Sequence, residues 1–83
     1  MLSAKPLNIA KAGSIVIGRN TTADELAVSI GTDSVATGWG GTAVGTISKA
    51  TGAQSTAIGD NAQASDTYST ALGVVFRSFR QSG

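Results

Sequence analysis

The chain has 83 residues, enough for one small domain, and it carries a net charge of +1 with neither histidine nor cysteine. Disulfides are therefore excluded, and the commonest general bases and soft metal ligands are missing. The few lysines and arginines are scattered and form no basic stripe, so no nucleic-acid partner is expected. Charged residues are only 13% and aromatic residues 5%, while eleven residues are glycine and much of the apolar fraction is alanine, which favours a thin, turn-rich β structure.

Residues 1–13 contain the only proline, Pro6, and show neither strand alternation nor a repeat. We expect a lead-in or first cap here. The segment has no apolar run of the kind found in signal peptides, and no stretch of the chain is long enough to span a membrane. No direct membrane insertion is therefore predicted. If the protein is exported, we expect this chain to be part of a longer one.

Residues 14–73 form an internal repeat. Glycines preceded by an aliphatic residue recur at spacings of 13, 14, 14 and 14 residues, at Gly18, Gly31, Gly45, Gly59 and Gly73. Seven residues after three of them come Gly38, Gly52 and Asp66, and Glu25 takes this position in the first coil. A short fixed period predicts a solenoid whose coils are stabilised by stacking. Each coil is predicted to be two strands of about five residues joined by tight turns, where glycine supplies positive φ.

Side chains alternate between the two faces of the first strand in each coil. The bulky face, one and three residues before each repeating glycine, holds the predicted subunit interface: Ile15, Ile17, Val28, Ile30, Val44, Ile58 and Leu72. The small face and its counterpart on the second strand are predicted to line the roll interior, at Ala43, Ala57, Ala62, Ala64 and Ala71. Alanine methyls supply only about 0.8 kcal/mol each, and ordering a residue costs about 1.5 kcal/mol. The bulky face must therefore be buried by self-association.

The pentapeptides at 55–59 (STAIG) and 69–73 (STALG), with Ala62 and Ala64 between them, carry a family resemblance. They resemble the YadA-like head repeat of trimeric autotransporter adhesins, and the similarity extends over roughly 14–73. The resemblance implies an all-β parallel β-roll, a short solenoid of about five 14-residue coils, assembled as a homotrimer. The departures are the first spacing of 13 residues and Asp66 in place of a usual glycine, so an irregular first coil is expected.

No residue pattern indicates catalysis, a metal or a cofactor, and the chain is predicted not to be an enzyme. The carboxylates fall mainly at turn positions, where aspartate bonds its own backbone: Asp24, Glu25, Asp33, Asp60 and Asp66. The glycine-rich segment 38–41 lacks the lysine and the following helix of a phosphate loop. A candidate ligand surface comprises Trp39, Lys49, Gln63 and Tyr68. For Trp39 and Tyr68 a sealing role at the stack edge is favoured over ligand contact, and for Lys49 and Gln63 an ordinary solvated face is favoured over an adhesive surface.

The repeat stops after Gly73. Residues 74–83 are predicted to be a C-terminal cap or the start of a connector, with Phe76 and Phe79 closing the open end of the stack.

Three functions follow from these features. The resemblance implies a non-enzymatic head segment of a bacterial trimeric adhesin, at the cell surface in a longer outer-membrane-anchored chain, which attaches to host extracellular-matrix protein or to cells. The alternative is a phage or prophage tail component in the virion that uses the same trimeric roll. An ice-binding or carbohydrate-active solenoid is disfavoured, because the threonines Thr42, Thr56 and Thr70 alternate with aliphatic residues on the face predicted to be buried.

Overall fold

The computed structural model describes residues 8–74 and 77–78, and no helix occurs among them. The elements are strands of two or three residues, shorter than the five predicted, because each side of a coil turns after one or two pleats. In chain order they are β1 Ile9–Ala10, β2 Ile15–Ile17, β3 Thr22–Ala23, β4 Val28–Ile30, β5 Val35–Ala36, β6 Thr42–Val44, β7 Lys49–Ala50, β8 Thr56–Ile58, β9 Gln63–Ala64, β10 Thr70–Leu72 and β11 Arg77–Ser78.

Alternate strands belong to different sheets. The five-stranded sheet has the order β10-β8-β6-β4-β2, and the six-stranded sheet has the order β1-β3-β5-β7-β9-β11. Every described pair is parallel, and residues one coil apart lie opposite each other, as in Val44↔Ile58. The predicted all-β parallel solenoid of about five coils is therefore confirmed.

Both ends of the six-stranded sheet lie outside the repeat region of 14–73. Strand β1 lies in the segment expected to be a lead-in or cap, and it pairs with β3. At the other end of the sheet, β11 pairs with β9. The predicted end-closing residues Phe76 and Phe79 lie outside the described residues.

The interior of the roll contains only small side chains. Nine alanines have no exposed surface, and they include the five predicted from the sequence: Ala23, Ala27, Ala36, Ala43, Ala50, Ala57, Ala62, Ala64 and Ala71. The polar side chains buried with them are hydroxyls, at Thr21, Ser29, Ser34, Ser48, Ser55 and Ser69. The turns supply most of these hydroxyls, and only Ser29 lies on a strand. The coil is thus too thin for any larger buried residue.

The first turn of a coil, from the five-stranded to the six-stranded sheet, is a four-residue β-turn. In 31–34 the Ser34 N–H donates to the Gly31 carbonyl at 3.2 Å. The third residue has positive φ, as a type II turn requires. This position holds Asn20, Asp33, Ile47 and Asn61 in successive coils.

The second turn of a coil, from the six-stranded back to the five-stranded sheet, has the same form. In 38–41 the Gly41 N–H donates to the Gly38 carbonyl at 2.8 Å. Leu26, Gln54 and Tyr68 have positive φ at the third position of equivalent turns. The turns are also bonded to one another, since the Tyr68 N–H donates to the Ala53 carbonyl of the preceding coil at 3.0 Å.

Two details of the second turn differ from the sequence prediction. Gly38 and Gly52 do not have positive φ. They are needed for close approach, because a Cβ on Gly38 would collide with the Gly52 carbonyl oxygen of the next coil. In addition, Asp24 and not Glu25 begins the equivalent turn, since the Ala27 N–H donates to the Asp24 carbonyl at 3.0 Å.

The irregular spacing of the first coils lies in this second turn. Four residues separate β1 from β2 and β3 from β4, whereas five separate β5 from β6, β7 from β8 and β9 from β10. The first two coils are therefore one residue shorter, and the shortening falls on one edge of the roll.

Ser55→Ala should leave stability unchanged or raise it by about 1 kcal/mol, because the Ser55 Oγ is buried without a hydrogen-bond partner. Alanine already fits the equivalent position at Ala27. The control is Ser48→Ala, which removes a bond from the Ser48 Oγ to the Gly45 carbonyl (2.9 Å) and should cost about 0.5–1.5 kcal/mol. Chemical denaturation at one chain concentration measures both, and a larger loss for Ser55→Ala would contradict the packing described.

Candidate interaction surfaces

The outward face of the five-stranded sheet is apolar and exposed. All seven residues of the predicted subunit interface lie on it, in two columns set by the strand register. Ile15, Ile17 and Leu72 are each more than half exposed, and Ile58 is 40% exposed. One column is aliphatic throughout and comprises Ile17, Ile30, Val44, Ile58 and Leu72. We call this surface the apolar face.

The second column of the apolar face changes along the stack. It begins with Ile15 and Val28 and continues with Thr42, Thr56 and Thr70. β-Branched residues suit a pleated strand whether they are apolar or hydroxylated. A contiguous exposed row of large aliphatics is unusual for a monomer and marks an interaction site.

The four residues of the candidate ligand surface do not form one site. Lys49 and Gln63 are opposite each other on the six-stranded sheet, where Lys49 is exposed and Gln63 is half-buried. Trp39 and Tyr68 lie on the second turns, are 50% and 60% exposed, and are two coils apart. Their backbones are therefore about 10 Å apart along the stack.

Lys49→Ala and Gln63→Ala should each change the free energy of unfolding by less than about 0.5 kcal/mol, since both side chains reach solvent. Ala57→Leu should cost at least about 1–3 kcal/mol, because Ala57 has no exposed surface in the thin interior. Melting temperatures of the three variants test the assignment of faces. A harmless Ala57→Leu beside an unfolded Gln63→Ala would mean that the faces are reversed.

A pocket of about 290 Å³ lies at the edge formed by the second turns. It is lined by Lys11, Asp24, Glu25, Thr37 and Trp39. The Lys11 Nζ lies 3.5 Å from the Asp24 Oδ1, and both side chains are partly exposed. Of the predicted ligand surface, only Trp39 belongs to this pocket. In the sequence, only the change from a 13-residue to a 14-residue spacing of the repeating glycines indicates the region where this pocket lies.

The carboxylates of the described residues remain dispersed. No group of three or more aspartates and glutamates in 8–74 is arranged to hold a metal ion. Asp33 accepts a hydrogen bond from the Asn20 Nδ2 at 2.6 Å, and Asp24 is paired with Lys11. Within the same residues, no helix has the length and apolar character needed to cross a bilayer.

Two parallel sheets, a one-coil repeat and an alanine interior define the chain as a parallel β-solenoid repeat protein. A family model described as "YadA head domain repeat (2 copies)" matches it at residues 11–40, 25–46, 38–62 and 50–74. The matches together span 11–74, well over half of the chain, and the chain belongs to the YadA head repeat family. No curated protein and no solved structure matches it.

Family membership confirms the resemblance described above and sets a coarse function. YadA head repeats are surface-exposed segments of trimeric autotransporter adhesins, and they are adhesin-type structural domains rather than known enzymes.

Proposed function

We propose that this chain is a head segment of a trimeric adhesin that attaches a bacterium to host extracellular matrix or cells. In this proposal three copies associate about a threefold axis through their apolar faces. The observation that carries it is the exposed aliphatic column of the five-stranded sheet, in a family whose heads form trimers.

The energetics of the apolar face support association. Its seven large aliphatic residues are exposed or half-buried in the single chain, while the fully buried side chains are no larger than threonine. Burying each large aliphatic contributes about 1.5–3 kcal/mol. An interface on this face would therefore contribute more to stability than the alanine interior does.

The geometry also supports a passive adhesive role. Stacked coils present the same outer positions at a regular spacing of about 4.8 Å. A trimer carries three copies of every outer surface, so weak contacts add through avidity. The proposed location is the cell surface, within a longer outer-membrane-anchored chain. No observation on 8–74 favours the alternative of a phage tail component.

An attachment assay tests the adhesive role. Beads carrying the chain at fixed density should be retained on collagen, fibronectin or cultured cells more than on albumin. The control beads carry Val44→Thr, which keeps the β-branched shape in the aliphatic column but weakens association, and they should be retained less. Retention equal to albumin on all these surfaces would contradict the adhesive role.

A further inference from the structure

The pocket beside Trp39 forms where the second turns change length. Lys11, Asp24 and Glu25 belong to the two four-residue connections, and Trp39 belongs to the first five-residue connection. The longer connection adds one residue to the edge of the roll at this coil. Trp39 therefore lines the pocket from the longer connection, and Lys11, Asp24 and Glu25 line it from the shorter ones.

The pocket combines an aromatic face with an uncompensated negative charge. Lys11 and Asp24 neutralise each other across 3.5 Å. The Glu25 carboxylate has no hydrogen-bond or ion-pair partner among the described residues. Glu25 and Trp39 are the second residues of successive turns, and the Gly40 N–H donates to the Glu25 carbonyl at 3.1 Å. Their backbones are thus one coil apart, about 4.8 Å.

We propose that this pocket binds a guanidinium group, namely an arginine side chain of a protein partner. Tryptophan is the best aromatic partner for a cation placed over its ring. A carboxylate one coil away accepts the charge-assisted hydrogen bonds that a guanidinium donates. Thr37 adds a hydroxyl at the same rim.

Arginine fits this pocket better than lysine does. A guanidinium is planar, stacks on an indole and bonds a carboxylate through its edge at the same time, whereas an ammonium is a compact, strongly hydrated charge. A neutral sugar could also stack on the indole and donate hydroxyl hydrogen bonds to the Glu25 carboxylate, but it would leave the negative charge of the pocket uncompensated.

The pocket lies within one chain, on the edge between the two sheets and not on the apolar face itself. Its lining residues follow strands of the six-stranded sheet, in the second turns. The inference rests on the proposed function only in taking the ligand to be a protein. Binding and assembly can therefore be measured separately on the same sample.

The test uses acetyl-Gly-Arg-Gly-amide and the fluorescence of Trp39, the only tryptophan in the chain. We expect a saturable change with Kd on the order of 1–10 mM, as suits a single side chain. The matched peptide with citrulline, which is neutral and nearly isosteric, should bind at least about fivefold more weakly. Glu25→Gln should weaken arginine binding about fivefold.

The control variant is Asp60→Asn, which removes an exposed carboxylate from a first turn in another coil. It should leave Kd unchanged, and circular dichroism of the two variants should match. Equal weakening by both variants, equal binding of the citrulline peptide, or binding of methyl glucoside instead would each overturn the inference. Light scattering on the same sample separates the two proposals. A trimer that does not bind the arginine peptide contradicts this inference alone. A monomer that binds the arginine peptide contradicts the proposed assembly alone.

Discussion

Ile58→Asp should abolish assembly and leave the chain largely unfolded. Ile58 lies between Val44 and Leu72 in the aliphatic column and is 40% exposed in the single chain. In the proposed trimer the substitution brings three carboxylates together in an apolar contact, where they cannot all ionise without a large cost. Sedimentation velocity and far-UV circular dichroism at one concentration measure both effects.

A milder variant keeps this prediction informative when the aspartate variant does not fold. Ile58→Thr places at this position a β-branched residue of the kind already present at Thr56, so the strand should persist. The dissociation of the oligomer should then occur at a higher chain concentration than in the unchanged protein. A native-size oligomer from Ile58→Asp would show that the apolar face is not the interface.

Gly52→Ala should destabilise the fold by about 3 kcal/mol or more. A Cβ at Gly52 would overlap the Asp66 carbonyl oxygen and lie 2.9 Å from the Thr67 backbone nitrogen of the next coil. The stack would have to separate locally, and hydrogen bonds between the coils would lengthen with it. Overpacking against backbone is at the upper end of the usual cost of about 1–3 kcal/mol, since no rotamer relieves it.

Gly40→Ala is the matched control for Gly52→Ala. Gly40 has φ of 67°, but a Cβ there would meet only the Gln54 Cγ, at 3.5 Å. The cost should be the strain of positive φ alone, about 1 kcal/mol. Denaturation curves of the two variants compare the effects. Equal losses would contradict the claim that Gly52 is required because the coils approach each other so closely there.

Periodicity in the sequence was enough to predict the coil, the parallel pairing and the location of the small and bulky faces. The reason is that each coil repeats the same alternation of small and bulky residues. Ala43, Ala57 and Ala71 therefore have similar surroundings, which are set by the equivalent residues of the neighbouring coils. The spacing of the repeating glycines is enough to identify which residues lie next to each other in adjacent coils.

The turns could not be predicted in the same way. Ile47 has φ of 63°, a conformation that local preference disfavours for a β-branched residue. It is held there by its N–H, which donates to the Thr32 carbonyl of the preceding coil at 2.9 Å. The position of Asp24 in its turn depends on which turn of the coil is one residue shorter, and the location of the pocket depends on the same detail. Counting from the repeating glycines located the shorter coil but not the shorter turn.

The molar mass of the chain in solution tests the central claim most directly. Multi-angle light scattering over a range of concentrations should give about 25 kDa, three times the 8.2 kDa of one chain. The mass should hold in high salt, because burial of apolar surface and not charge drives the association. A folded, soluble species that stays at about 8 kDa at every concentration would contradict the claim that the apolar face is covered by copies of this chain.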